Sequence, residues 1–280
     1  MALENLPPAA CGCGASAFVW AMPAATHVVS LEKIAAALQR ELRVGEIPDY
    51  PPALNGLQLA NRSGAVRSVA SAVDACAAVI DQAVAAGAQL LLVHHGLFWQ
   101  GAQRIEGALF AKLHHAMAHD LAIYSAHIPL DVHPTLGNNA LLAKALGLRH
   151  TAPFFPWKGI QLGLRAAVNL DRAALVEKTS AAVGGPVHLC PGGPARVRRL
   201  GLITGGAGSE IAAAAAEGID TFITGEGPHW SYTLAEELGV NILYAGHYAT
   251  ETFGVLALGR WLSAKFRLPP VQFIDHPTGL

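Results

Sequence analysis

The stretch LLLVHHG, residues 90–96, places four consecutive branched apolar residues before two histidines and a glycine. A short, uninterrupted apolar run is typical of a strand that is buried on both faces of a parallel sheet. Open α/β sheets bind ligands at the carboxyl ends of their strands, so the imidazoles of His94 and His95 would lie where a ligand binds. Histidine is the most common metal ligand near neutral pH, which makes the pair a candidate metal site. The alternative is a loop that merely contains two polar residues.

Strand and helix patterns alternate along most of the chain. An apolar run at residues 66–73 predicts a strand, residues 76–86 predict a helix that Gly87 ends, and a second strand ends at His94. The same alternation predicts helices over residues 30–40, 109–119, 137–146 and 171–183 and strands over residues 121–126, 162–168, 197–203, 221–224 and 241–245. Repeated strand–helix units predict an α/β fold with mostly parallel sheets that helices cover on both faces.

The chain of 280 residues is long enough for two modest domains. Residues 153–157 contain two prolines and three aromatic residues and are interpreted as a linker. They divide the chain into a first lobe, residues 27–150, and a second lobe, residues 151–280, which could interleave. The leader, residues 1–26, fits neither a membrane span nor a secretory signal and is predicted to be a poorly ordered extension.

Composition narrows the class of protein. Hydrophobic residues make up 52% of the chain and charged residues 14%, as in a globular protein with a large core. The formal net charge of −1 provides no strong field for nucleic acid or for an anionic membrane. No segment offers the roughly 18 to 20 uninterrupted apolar residues of a membrane span. The four cysteines form no CxxC pair, and we expect a cytoplasmic, reduced protein.

Two segments of the second half repeat two segments of the first. Residues 87–99 align without gaps on residues 218–230, with glycine on glycine twice and tryptophan on tryptophan once. Residues 124–131 align on residues 244–251, so each half contains a tyrosine followed by a His-x-x-x-carboxylate motif. The repeat predicts two related α/β lobes whose strand ends face one cleft.

Six side chains with nitrogen or oxygen donors would line that cleft: His94, His95, His127, Asp131, His247 and Glu251. A single catalytic zinc takes three protein ligands and a water, so six donors suit two metal ions about 3.5 to 4 Å apart. No cysteine is among them, which leaves Zn, Fe, Mn and Co open. Singly, the histidines could be core residues bonded to carbonyls, and the acids could favour the N-termini of helices.

Two further residues follow a strand end of the second half and could move protons. Glu226 and His229, together with His127 from the first half, are the candidate catalytic residues. Glu226 could instead orient a histidine that binds metal. The glycine-rich segment 205–208 precedes a helix and could cradle a phosphate, but it lacks both the third glycine of a dinucleotide-binding motif and a Walker lysine. A tight turn is therefore the preferred interpretation.

Four motifs together resemble the Nif-three-like family, whose members are also labelled GTP cyclohydrolase 1 type 2 homologues or dinuclear metal-centre hexameric proteins. They are VHHG at residues 93–96, YSAHxxxD followed by GNN at residues 124–139, ITGE at residues 223–226 and GHYATE at residues 246–251. The similarity covers residues 30–273, and GHYATE is its most telling block.

The resemblance implies a cofactor of two divalent metal ions per subunit. Its metal ligands would be His94, His95, Asp131, His247 and Glu251, with Glu251 as the bridge and His127 lining or completing the site. The resemblance also implies a toroidal homohexamer whose metal sites face an internal cavity. It makes residues 153–197 the connection between the two halves.

Two functions from different classes fit these expectations. The first is a metal-dependent hydrolase that acts on a small nucleotide-like, phosphorylated or cyclic substrate through a water held between the two cations. The second is a non-enzymatic metal-binding, metal-trafficking or regulatory protein. The residues themselves indicate no purine-recognition pocket, so they do not support the cyclohydrolase label as an activity.

Overall fold

The computed structural model describes residues 27–280, so the expectation for residues 1–26 lies outside the described part of the chain. Its helices are α1 (Leu31–Glu41), α2 (Ala77–Ala85), α3 (Gly107–Ala118), α4 (Ile128–Asp131), α5 (Asn138–Ala145), α6 (Arg172–Val183), α7 (Ile211–Ala216), α8 (His229–Leu238) and α9 (His247–Phe266). Its strands are β1 (Val29–Ser30), β2 (Gly56–Leu59), β3 (Ala65–Val66), β4 (Val69–Asp74), β5 (Leu90–His95), β6 (Ala122–Ser125), β7 (Ala152–Trp157), β8 (Ile160–Asp171), β9 (His188–Pro191), β10 (Arg196–Leu202), β11 (Thr221–Thr224), β12 (Asn241–Tyr244) and β13 (Gln272–Phe273). The predicted α/β class is confirmed.

The first sheet has the strand order β13-β4-β5-β6-β2, and its neighbours are parallel except for β6 and β2. Its central strand β5 is the LLLVHHG run, in which each residue from Leu90 to Val93 is at most 1% exposed. Alternate side chains point to opposite faces of a strand. Leu90 and Leu92 accordingly pack in a core with α1 and α9, whereas Leu91 and Val93 pack in a second core with α2 and α3. The predicted parallel strand with two covered faces is confirmed.

The second sheet has the strand order β7-β8-β10-β11-β12-β9. Strands β10, β11 and β12 are parallel, and the other neighbours are antiparallel. The interpretation of residues 153–157 as a linker is wrong, because they lie in β7, which pairs with β8. Pro153 and Pro156 are tolerated in this edge strand, where a missing N–H need not break a ladder. Phe154 and Phe155 bury their rings in the core of the second lobe.

Residues 153–197, which the resemblance makes the connection between the halves, also form part of the second sheet. This region contributes β7, β8, α6 and β9, and β8 pairs with both β7 and β10. Its alternating pattern of buried and exposed residues is that of a strand with one solvated face. The region is therefore a structural part of the second sheet.

The C-terminal segment returns to the first lobe. Helix α9 packs Val255, Leu258 and Leu262 into the same core as β5, and β13 then pairs in parallel with β4. Residues from the second half of the chain thus complete the first sheet, so the two halves interleave. No helix between residues 27 and 280 combines the length and the apolarity needed to cross a membrane.

Candidate metal centre

The predicted metal ligands meet at the carboxyl edge of the first sheet, where β5 and β6 end and α9 begins. Parallel strands end at the same edge of a sheet, which is why residues distant in sequence become neighbours there. The six donors are His94 and His95 at the end of β5, His127 and Asp131 before and within α4, and His247 and Glu251 on the first turns of α9. Three overlapping groups of three among them have donor atoms within 4.8 Å of one another.

Glu251 is the centre of this cluster and is 2% exposed. Its Oε1 lies 3.4 Å from Nε2 of His94, and Nε2 of His94 is also 3.5 Å from Oδ2 of Asp131. Its Oε2 lies 3.3 Å from Nε2 of His95 and 3.2 Å from Nε2 of His247. Each oxygen of the glutamate therefore faces a different set of donors.

Each of the four histidines is held through its Nδ1 atom. The acceptors are the carbonyl oxygen of Ala126 for His94 (2.8 Å), Oδ1 of Asp74 for His95 (2.8 Å), Oδ1 of Asp49 for His127 (2.9 Å) and Oε1 of Glu226 for His247 (2.8 Å). We assign the tautomer from these partners: an Nδ1–H donor leaves the lone pair of Nε2 free. Such outer partners orient histidines that bind metal ions.

Two buried polar atoms in the cluster have no hydrogen-bond partner among the described residues, namely Nε2 of His94 and Oε2 of Glu251. An unpaired buried polar group costs about 1–3 kcal/mol, and a site for an ion is one of its ordinary explanations. A cation bound beside each of these atoms would satisfy it. The donor set, nitrogen from neutral imidazole and oxygen from carboxylate, fits a divalent metal ion.

The carboxylates in the cluster favour positive charge at the histidines. Burial raises the pKa of Glu251, but the charges of His94 and His95 outweigh it and hold that pKa well below its ordinary value. Burial has the opposite effect on a histidine and lowers the pKa of His94, but the charges of Asp131 and Glu251 outweigh burial and raise that pKa to about 10. Burial also lowers the pKa of His247, but the hydrogen bond and the charge of Glu251 outweigh burial and raise that pKa to about 9. Bound cations would supply this positive charge in place of protons.

The backbone approaches Glu251 at Gly205. This glycine has a φ of 73°, and a Cβ added to it would collide with Oε1 of the glutamate. Its N–H donates to Oγ1 of Thr250 at 3.0 Å. Glycine is the residue that adopts this backbone conformation without steric cost. Gly205 therefore lies directly against the carboxylate of Glu251.

The three candidate proton-transfer residues occupy different places. His127 borders the cavity that contains the donors. Glu226 reaches the cluster through its hydrogen bond to His247. His229, the first residue of α8, is exposed and lines a second cavity of about 720 Å³. His127 is the one of the three that lies among the donors. The centroid of its ring is 4.9 Å from the centroid of the His94 ring.

Sequence analysis missed the carboxylates of Asp49 and Asp74, which hold two of the histidines. Asp74 ends β4 and is the register partner of His95 in β5, so an acid directly after a predicted strand was an available signal. Asp49 lies 78 residues before His127, in a proline-rich turn. No local pattern reveals that contact.

The cluster opens into a cavity of about 490 Å³ between the two lobes. Pockets of this size accommodate small-molecule ligands, and most combine an apolar lining with a few polar groups. The apolar and aromatic lining comes from Tyr50, Trp99, Phe155, Trp157, Leu162 and Ile203. The cavity therefore presents candidate metal ligands on one side and apolar surface on the other.

Comparison with known proteins assigns the chain to a family. The family model described as Duf34/NIF3 (NGG1p interacting factor 3) matches residues 29–278. A Deinococcus radiodurans relative named GTP cyclohydrolase 1 type 2 homolog is 39% identical over 254 residues, which are 90% of this chain and 95% of the relative. The solved structure of protein ybgI, described as of unknown function, has a TM-score of 0.82 and 35% identity, with coverage of 90% of this chain and 100% of that one. The solved structure of TTHA1606 from Thermus thermophilus has a TM-score of 0.81 and 36% identity, with the same coverage. The chain therefore belongs to the Duf34/NIF3 family.

Proposed function

We propose that this protein binds two divalent metal ions and hydrolyses a small nucleotide-like or phosphorylated substrate. The observation that carries the proposal is the position of Glu251, whose two carboxylate oxygens face different donors. His94 and Asp131 would hold one ion, and His95 and His247 would hold the other. Glu251 would contribute one carboxylate oxygen to each ion, and a carboxylate shared by two cations is typical of two-metal sites.

The chemistry of the donors supports a hydrolytic role. When bound, two such cations supply a water of lowered pKa and positive charge that stabilises a developing oxyanion. Asp131 and Glu251 balance part of the positive charge, and the neutral histidines add nitrogen donors without adding charge. The adjoining cavity of about 490 Å³ offers room for the substrate.

The protein's own side chains prepare this site. Asp49 accepts the Nδ1–H of His127 at 2.9 Å, which leaves Nε2 of that histidine at the edge of the cavity. We assign to His127 either completion of the metal site or transfer of a proton at Nε2. Glu226 positions His247 and does not border the cavity itself. His229 has no part in this mechanism because it faces the second cavity.

Metal analysis combined with a panel of phosphorylated and cyclic substrates tests the proposal. Glu251→Gln retains the side-chain shape but removes the charge, so we expect a lower metal content than the two ions per chain of the parent, and no turnover. His115→Ala is the matched control, because His115 lies on α3 beside Asp81 at 3.3 Å and should leave both unchanged.

The outcomes that contradict the proposal are distinguishable from one another. Protein that holds two metal ions and is inert toward the whole panel would contradict hydrolysis and favour a metal-binding or regulatory role. Protein that binds no divalent metal from solution would contradict the metal centre itself. Equal behaviour of Glu251→Gln and His115→Ala would contradict the bridging role of Glu251.

We also propose the toroidal homohexamer that the family resemblance implies. Exposed apolar side chains support an assembly: Phe110 and Met117 on α3 are 52% and 56% exposed, and Ile105 just before that helix is 64% exposed. Phe110 and Met117 are seven residues apart and therefore lie on the same face of α3, and an exposed apolar face is typical of protein–protein contacts. Light scattering coupled to gel filtration should give the mass of six chains, and a monomeric mass would contradict the assembly.

A further inference from the structure

One wall of the cavity beside the metal donors is aromatic. Tyr50, from the proline-rich turn of the first half, and Trp157, the last residue of β7, have ring centroids 5.2 Å apart. Tyr50 also lies 6.3 Å from the ring of His127, so the aromatic surface begins next to the donors. Phe155 lines the same cavity. We call Tyr50 and Trp157 the aromatic wall.

Hydrolysis at the metal centre does not by itself require this wall. A compact substrate, such as a sugar phosphate, gains little from flat apolar surface, because its own surface is mostly polar. Tyr50 is nevertheless 48% exposed where it lines the cavity. Exposed aromatic surface inside a ligand cavity indicates a ligand that covers it, since burial of a ring is favourable.

The ammonium group of Lys158 lies against both rings of the wall. Lys158 directly follows Trp157, and its Nζ lies 4.4 Å from the centroid of that ring and 5.2 Å from the centroid of the Tyr50 ring. The ammonium group donates one hydrogen bond, to the carbonyl oxygen of Asp49 at 3.1 Å. Lys158 forms no salt bridge with a carboxylate of residues 27–280. Its charge is therefore available to an anionic group of a ligand.

We propose that the substrate carries a planar aromatic or heteroaromatic ring, which packs on the aromatic wall, and an anionic group, which pairs with Lys158. The proposal rests on the proposed function for the reacting end of the substrate and narrows its class at the other end. A nucleoside monophosphate combines the two features. A sugar phosphate offers the charge alone.

Binding of two probes that differ by one ring tests the proposal. Adenosine monophosphate and ribose 5-phosphate share the sugar and the phosphate, and titration calorimetry on the metal-loaded protein gives the affinity of each. Stacking of a base on an aromatic side chain is worth about 1–3 kcal/mol, so we expect adenosine monophosphate to bind at least about fivefold more tightly. Equal affinities would overturn the proposal.

Variants of the wall test whether its rings cause the tighter binding of adenosine monophosphate. Trp157→Leu and Tyr50→Leu should each reduce the affinity ratio of the two probes, whereas Trp157→Phe should retain most of it. The chain offers a matched control pair on α9, where Nζ of Lys265 lies 4.8 Å from the centroid of the Trp261 ring, outside the cavity. Trp261→Leu should leave the ratio unchanged. A ratio that persists in both Trp157→Leu and Tyr50→Leu would overturn the assignment of the wall.

The role of Lys158 has its own comparison. Lys158→Met should weaken both phosphate probes by a similar factor and leave adenosine unaffected, and Lys265→Met should weaken none of them. Loss of adenosine binding in Lys158→Met would contradict the anion-pairing role.

Failure of the proposed function remains distinguishable from failure of this inference. His95→Ala should remove metal and turnover but leave the affinity ratio of the two probes intact, because the aromatic wall and Lys158 lie outside the donor set. A protein that hydrolyses substrates yet shows no ring preference would contradict only the substrate class.

Discussion

Asp74 and His95 lie side by side at the ends of neighbouring parallel strands, with Oδ1 of the aspartate 2.8 Å from Nδ1 of the histidine. The parallel register of β4 and β5 sets this contact, because it pairs the last residue of one strand with the last residue of the other. The aspartate fixes the tautomer in which Nε2 of His95 faces Glu251.

Asp74→Asn should weaken metal binding by about tenfold to a hundredfold, the range typical of outer partners of metal-binding histidines. The amide retains a weaker acceptor but can also rotate and present an N–H to Nδ1, which favours the wrong tautomer. Competition with a fluorescent chelator measures the affinity. Asp81→Asn, which changes an exposed acid beside His115, is the control and should have no effect. Equal affinities in the two variants would contradict the role of Asp74.

Gly205→Ala should reduce both stability and metal affinity. The new Cβ would collide with Oε1 of Glu251, and a φ of 73° is unfavourable for alanine. We expect a loss of about 1–3 kcal/mol in the free energy of unfolding, measured by urea denaturation. Gly184→Ala shares the positive φ, 69°, with nothing within 4 Å of the added Cβ. That control should lose stability but bind metal normally.

Removal of metal should lower the melting temperature. The cations bind the folded state, in which the donors are assembled, and a ligand present at about a hundred times its Kd stabilises by about 2.7 kcal/mol. Differential scanning fluorimetry with and without a chelator measures the shift. In Glu251→Gln the shift should shrink, because less metal is bound to begin with. If the chelator leaves the melting temperature of the parent protein unchanged, the folded state does not bind a stabilising metal ion.

Asp120 should make a pH-dependent contribution to stability. Hydrogen bonds from Ser63 and from the amide of Arg62 lower its pKa below the ordinary value of 3.8. A depressed carboxyl pKa in the folded state stabilises the protein above the unfolded-state pKa, and this stabilisation disappears as the pH falls through the folded-state pKa. Asp120→Asn should therefore destabilise the protein at about pH 6 and progressively less as the pH falls below about 3.8. Thermal melts of both proteins over this pH range measure the difference in stability. A destabilisation that does not depend on pH would contradict this assignment.

The chain shows clearly which parts of a fold local patterns can predict. The LLLVHHG run predicted both the buried parallel strand and the position of two imidazoles at its end, because four apolar residues in a row have no solvated face. The motifs around His127 and His247 predicted which other donors would join them. Residues 153–157 were misinterpreted, since two prolines resemble a linker locally, although an edge strand tolerates them equally well.

Other features depend on contacts that no local pattern encodes. The second half of the chain returns through α9 and β13 to complete the first sheet, and this crossing brings Glu251 between His94 and His95. The aromatic wall likewise joins Tyr50 to Trp157, which come from different lobes.

The sequence by itself determined the α/β class, the buried strand and the candidate metal ligands, because apolar periodicity and short motifs are properties of neighbouring residues. Tertiary structure decided how the donors are divided by Glu251, which acids hold each histidine and what surface faces them. Those features depend on strand register and on the path of α9, which bring together side chains that are distant along the chain.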